Sequence, residues 1–444
     1  ARSRLNRYHT EIAEGISAGR SADKAQSALW QTALSSSAAA VPGKSASGPL
    51  CTTIWDQDCN DNNSCPLMAG GPCGHALVGC VATAMGQVMK YYDYPARGTG
   101  SHSYTHSSLG TISASFSYAF DWDNMPDNLT VTTTDVDELL FRCGVAVEMN
   151  YGTGVSLAYH SDVEGALQDY FYYNTSVAQK KRSSYTTANW KTLMRNEIIA
   201  GRPVIYRGCD VGGAGCHAWV LDGYDDSYLG SGSLYFHQNW GWGGSSDGWF
   251  LIDDLTPGGF DFNDDEYAMT GIVPLESDPK PLPGASTISY ASNVISMGCT
   301  VWNDGSGGIS RDHRLGYYLS SNTTISPSDY LLTTDDVPIL SPSYSSAESM
   351  AINVFSATDP APPGVYYAGY YIDDLYQEDN EVSETNNAYL FAGTYTVNCN
   401  DPSGVSATDG SYYDRVNVSW NSVWFATHYK VYRNTTNSTV GAVA

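Results

Sequence analysis

The sequence is short of positive charge. Of 444 residues only 22 are Lys or Arg against 47 Asp or Glu, so the formal charge is −25. A chain of that sign repels phosphate backbones and anionic bilayers, which excludes nucleic acid as the main partner and disfavours membrane surfaces. Charged residues amount to 16% and hydrophobic residues to 42%, which excludes a wholly disordered chain. No apolar run is long enough for a transmembrane helix, so no membrane span is expected. No charged n-region followed by an apolar h-region is visible at the start, and both ends read as cut from a longer precursor. CxxC spacing is missing, so the ten cysteines speak for disulfides in an oxidising compartment rather than for zinc.

What is abundant is Gly, at 43, and Tyr, at 33, a mix suited to Gly-punctuated β-structure in an exported protein. The length allows about two to four domains. Residues 1–50 read as a helical remnant, with Ile12, Ile16, Ala25 and Leu29 loosely spaced, followed by a linker. Residues 51–276 are mixed, helical patches first and strands after Pro203. Residues 277–284 carry three prolines in five residues and read as a stiff spacer. Residues 285–398 alternate apolar and polar, as an all-β, Ig-like sandwich does, with Val365–Ile372 one long strand. Residues 399–444 read as the first strands of another sandwich, through Val405, Val416, Val418 and Trp420.

The chemistry starts at Cys80. Apolar residues at 81, 84, 85, 88 and 89 form a helical stripe, and Gly79 would start that helix. Cys80 then sits at a helix N-terminus, where free N–H groups favour a thiolate. His217 is a candidate base: alternation puts His217, Trp219 and Leu221 on one strand face. The run Leu234–Gly244 would pair with that strand as a hairpin and bring Asn239 beside His217, an amide to orient the imidazole. Trp240 would shield that hydrogen bond, and Gly243 and Gly244 allow a turn close to a substrate backbone. Upstream, Gln57 offers a side-chain N–H for an oxyanion, with the Cys80 backbone N–H as the second donor.

The order Gln, Cys, His, Asn is papain-like, and here the sequence resembles the streptopain family of secreted cysteine proteases. The resemblance rests on Gly79-Cys80-Val81-Ala82-Thr83-Ala84, Gln87-Val88-Met89-Lys90-Tyr91, His217-Ala218, Asp222-Gly223, Asn239-Trp240-Gly241-Trp242-Gly243-Gly244 and Ser246-Asp247-Gly248-Trp249-Phe250. It covers about residues 52–275. It implies an α+β papain-like catalytic domain followed by all-β Ig-like sandwich domains. Cys80 would be the nucleophile, His217 the base and later acid, Asn239 the orienter of His217 and Gln57 part of the oxyanion hole. Trp240, Trp242 and Gly243 would serve substrate binding. The implied reaction is peptide hydrolysis through a thioester, with polypeptide substrates and no metal or organic cofactor. Family members are made as zymogens, and residues 1–50 would be the end of a prodomain.

The cysteines depart from streptopain, which has essentially one. A Cys209–Cys216 bridge would stiffen the approach to His217. Cys51, Cys59, Cys65 and Cys73 would form two bridges with three possible pairings. Cys299 and Cys399 would tie the sandwich, leaving Cys80 and Cys143 free. Residues 285–398 resemble the CARDB-type sandwich of surface and secreted proteins, through Val301-Trp302-Asn303-Asp304-Gly305, Gly316–Ser321 and Glu381–Asn387. Residues 401–444 resemble the start of a fibronectin type III domain. Such modules would bind a cell-surface or matrix ligand. The acidic run 373–384 reads as a solvated loop rather than a calcium site, having no EF-hand spacing. A papain-fold amidase or transglutaminase shares the thioester, and an adhesin with an inactive papain-like scaffold is the non-enzymatic alternative.

Overall fold

The computed structural model describes residues 46–282, 284–309, 312–373, 381–383, 385–399, 401–408, 415–423 and 425–432. The helix expected around Ile12–Leu29 and most of the acidic run 373–384 lie outside them.

The first helix, α1 (Cys80–Tyr92), begins where Gly79 takes φ +91°, a conformation that favours glycine. The stripe expected on one face understates its burial: residues 81–89 are all buried. The reason is position, because α1 lies between α2 (Thr134–Ala146), with α3 (Asp162–Tyr170) beyond it, and a sheet. Each fully buried Val or Met there contributes about 1.5–3 kcal/mol. A fourth helix, α4 (Thr187–Ile199), starts on Thr186, whose side chain accepts from the Asn189 N–H.

From residue 204 the unit is built of strands: β5 (Val204–Cys209), β6 (Cys216–Asp225), β7 (Tyr235–Asn239), β8 (Gly248–Leu251) and β9 (Asp264–Thr270). With β4 (Ala178–Lys181) they form an antiparallel sheet in the order β4-β9-β5-β6-β7-β8, apart from which β2 (Ser101–His106) pairs with β3 (Gly110–Ser115) as a separate hairpin. Alternation along β5 and β6 sorts their side chains. Ile205, Ala218 and Val220 join the core shared with α1–α3, whereas Val204, Tyr206, Trp219 and Leu221 join the core under α4. The sheet is therefore covered on both faces, and β6 is buried along nearly its whole length.

The end of the expected N-terminal linker is docked onto this sheet. Ala46–Ser47 (β1) pairs with Asp225 and Tyr224, the Leu50 N–H bonds the Asp222 carbonyl, and the Cys51 N–H donates to Asp222 Oδ2 at 2.9 Å. Gly48 makes this possible: a Cβ there would lie 2.4 Å from the Asp222 carbonyl oxygen.

The following part is β-rich. One sheet joins β10 (Pro279–Pro281), β11 (Thr287–Ala291), β12 (Val294–Asn303) and β15 (Ser345–Asn353). The other joins β13 (His313–Ser320), β14 (Tyr330–Val337), β16 (Gly364–Ile372), β17 (Ala388–Leu390) and β18 (Tyr395–Val397). Ile295 and Val301 from the first and Leu315, Leu319 and Tyr370 from the second share one buried cluster. Beyond it, β19 (Ser406–Ala407) pairs with β20 (Val418–Ser419). A cleft of about 410 Å³, lined among others by Arg97, Tyr172, Ser341 and Tyr344, lies where the two parts meet.

Two expectations are corrected here. The proline-rich segment is not a spacer: Pro279–Pro281 pairs with Val301–Asn303 and Ser277 is fully buried. A short strand pairing on one side only tolerates proline, because the missing N–H falls on the open edge. The disulfides also differ. Cys59–Cys73 and Cys209–Cys216 are bridged, but Cys51, Cys65, Cys299 and Cys399 are free. Cys51 points at the Gln87 carbonyl on α1, at 3.9 Å, and Cys65 is buried beside Tyr151. Cys299 faces the Tyr317 hydroxyl in the sandwich core, at 3.8 Å, while Cys399 is exposed after β18.

Candidate active site

The candidate residues come from four segments that the fold brings together. Cys80 is half-buried at the tip of α1, with no side chain capping the helix. His217 is buried on β6, paired across the ladder with Gly208. Between these strands the Cys209–Cys216 bridge closes the end of the β5–β6 hairpin, and the Arg207 guanidinium lies 3.1 Å from each of its sulfurs. Gln57 is placed beside the chain leading into α1, because its carbonyl accepts from the Val78 N–H at 2.9 Å.

The electrostatics differ from the expectation for a lone thiol at a helix tip. Burial pushes the Cys80 thiol up, and this outweighs the N–H groups of Ala218, Val81 and Cys80 itself, which favour the anion. Burial pushes the His217 imidazole down to about 4, against the Trp240 carbonyl, which favours the protonated ring. Burial thus biases each group by itself toward its neutral form. The thiol lies against the Ala218 amide, one residue past His217. The His217 Nε2 lies 2.7 Å from the Trp240 carbonyl oxygen. A carbonyl can only accept, so Nε2 carries the hydrogen and Nδ1 is left with the lone pair a base needs.

Asn239 does not hold His217 directly. The β6–β7 hairpin forms, but its register sets Asn239 opposite Val220, and a bulge between Leu221 and Gly223 shifts the rest of the ladder. The Asn239 side chain instead pairs with Gln87 and donates to the Thr53 carbonyl at 2.6 Å. The acceptor for His217 is the next residue's backbone, which a sequence motif does not display.

The aromatic residues also exchange places. Trp240, expected in the substrate-binding set, is fully buried and its ring packs 4.5 Å from Trp219, out of reach of a substrate. Trp242 is the ring over the imidazole, 4.7 Å from His217. Gly243 is exposed with φ +61° and donates its N–H to the Trp55 carbonyl.

The Gln57 turn rests on buried acids that spacing did not reveal. Asp61 accepts from the Asp56 N–H at 3.2 Å, and burial, reinforced by Asp56, Asp137 and Asp58, pushes its carboxyl up to about 8. Its folded pKa lies above its unfolded one, so its contribution to stability is full in acid and is lost as pH rises through about 4 to 8. Asp61→Asn is therefore expected to raise the melting temperature relative to the parent, by a gap that opens across that window. At pH 8 the gap would correspond to on the order of 2 kcal/mol or more. A gap independent of pH, measured by calorimetry, would contradict it.

A thiol at a helix tip, an imidazole with a fixed acceptor and an amide donor beside them are chemically fit for acyl transfer by a nucleophilic sulfur. Residues 55–250 match the Peptidase C10 family. The chain is 36% identical over 220 residues to streptopain of Streptococcus pyogenes, across 45% of this chain and 53% of the relative. It is 33% identical over 262 residues to the thiol protease/hemagglutinin PrtT of Porphyromonas gingivalis, across 56% and 29%. Among solved structures, active wild-type interpain A cysteine protease of Prevotella intermedia aligns at 34% identity over 52% of this chain and 96% of that one, with a TM-score of 0.47. The chain thus spans 53% of the length of the streptopain it matches. Among the described residues no helix is long and apolar enough to cross a membrane.

Proposed function

We propose that the chain is a secreted cysteine endopeptidase that cleaves polypeptides through a thioester on Cys80. The observation that carries this is the His217–Trp240 carbonyl hydrogen bond at 2.7 Å beside the helix that presents Cys80, within a Peptidase C10 segment. In this reading His217 Nδ1 takes the thiol proton as sulfur attacks the scissile carbonyl, and the oxyanion is met by the Cys80 N–H and the Gln57 amide. His217 then gives that proton to the leaving amine, and a water deprotonated by the same base attacks the thioester, the C–S bond breaking as the proton passes back to sulfur. Trp242 covers the imidazole, and Gly243 is exposed one residue further on.

Export is supported by the two disulfides, which persist in oxidising surroundings. We take the two-sheet unit as an Ig-like, CARDB-like sandwich and residues 399–444 as part of a fibronectin type III-like domain, both serving attachment to a cell-surface or matrix ligand. Residues 1–50 are read as the end of a prodomain, so that the chain is made as a zymogen.

The test is hydrolysis of casein by the full chain under reducing conditions. Cleavage that an epoxide thiol reagent stops is the expected result. Cleavage indifferent to that reagent would remove the sulfur from the mechanism, and acyl transfer to amines with no net hydrolysis would favour a transglutaminase.

A further inference from the structure

Gln87 lies two turns beyond Cys80 on α1 and is fully buried. Its amide and that of Asn239 are joined reciprocally. Gln87 Nε2 donates to Asn239 Oδ1 at 3.1 Å, and Asn239 Nδ2 donates to Gln87 Oε1 at 3.0 Å. Backbone partners fix which way round each amide sits. The Trp55 N–H can only donate, and it meets Gln87 Oε1 at 3.3 Å. The Gly241 N–H meets Asn239 Oδ1 at 3.2 Å, and the Thr53 carbonyl takes Asn239 Nδ2.

The consequence lies in the turn after β7. The Gly241 N–H held by Asn239 belongs to the same peptide group as the Trp240 carbonyl that accepts from His217. Asn239 therefore acts on His217 through one peptide bond. The next carbonyl, that of Gly241, accepts from Gln57 Nε2 at 3.2 Å. A single buried amide pair thus braces the turn whose two successive carbonyls align the base and the candidate oxyanion donor.

We infer that Gln87 is a positioning residue that sets the Trp240 and Gly241 carbonyls, and through them His217 and Gln57, in register with Cys80. The inference deepens the peptidase reading and rests on it. A polar side chain deep in a helix costs free energy unless its hydrogen bonds are made, and methionine would fill the space without that demand. What Gln87 adds is a connection between the helix that carries the sulfur and the turn that carries the acceptors. Hydrogen bonds in such a chain also polarise one another.

The test compares Gln87→Met and Gln87→Glu with the parent full chain. Two readouts are used: kcat and KM on a peptide substrate, and the pH dependence of Cys80 alkylation by iodoacetamide. Gln87→Met is expected to lower kcat about tenfold to hundredfold, the scale on which small misplacements of reacting groups act, with KM little changed. It should also move the alkylation profile, because the turn that carries the imidazole's acceptor loses its brace. Gln87→Glu keeps the chain length and keeps the test open should the methionine variant fold poorly. A protonated glutamic acid can still donate to Asn239 Oδ1 and an ionised one cannot, so this variant should work in acid and lose rate reversibly as pH rises. Both variants matching the parent in kcat and in alkylation profile would overturn the inference, even with a lowered melting temperature. A parent that fails to cleave peptides while Gln87→Met still shifts the alkylation profile would overturn the peptidase reading and leave the positioning role standing.

Discussion

Replacing Cys80 with alanine is expected to lower peptide hydrolysis by roughly 10⁴-fold or more while the protein stays folded, the scale on which removal of a nucleophile acts in hydrolases. The size follows from the chemistry: without sulfur no thioester forms, and the remaining donors can only assist direct attack by water. The fold tolerates the change because Cys80 is the first residue of α1, half-buried, and alanine is a good helix former. Burial pushes the thiol up, against its anion, so the fold does not rely on a charge at this position. Turnover by Cys80→Ala within tenfold of the parent, at an unchanged melting temperature, would end the nucleophile assignment.

Replacing Gln57 with alanine is expected to cost about 10²–10³-fold in kcat with little change in KM, the signature of a donor used in the transition state more than in the ground state. In the resting protein one Nε2 hydrogen goes to the Gly241 carbonyl, and the second is left for an oxyanion. The turn is held independently of this side chain, by the Gln57 N–H on Asp56 Oδ1 and the Val78 N–H on the Gln57 carbonyl. The loss should therefore be local. A raised KM with kcat preserved would recast Gln57 as a substrate-binding residue and shift the oxyanion role elsewhere.

The parts of this site that were legible in the sequence are those set by local pattern. The apolar stripe of α1, the glycine before Cys80 and the alternation around His217 all act over a few residues, and they appear where expected. The short Cys209–Cys216 loop is likewise local, since both residues lie at one end of a two-stranded ladder. What escaped is what register and packing decide. The β6–β7 register sets Asn239 opposite Val220, its side chain turns to Gln87, and the orienting role falls to a backbone carbonyl, and backbone atoms have no letter in a sequence. Gln87 was visible only as part of a motif, because its partner lies 152 residues away. The strand at Pro279–Pro281 was hidden by proline, whose helix-breaking character is local while its tolerance at a sheet edge depends on a partner strand. Cys299 and Cys399 show the same limit: sandwich periodicity says nothing about whether two thiols face each other.

Mapping the adduct of an active-site-directed epoxide by mass spectrometry, on the full chain and alongside loss of hydrolysis, tests the central claim most directly. The expected result is one modified sulfur, Cys80, labelled in step with the loss of activity, while buried Cys51, Cys65, Cys143 and Cys299 stay unmodified. Inactivation that leaves Cys80 unlabelled, or Cys80 recovered in a disulfide from active protein, would contradict it.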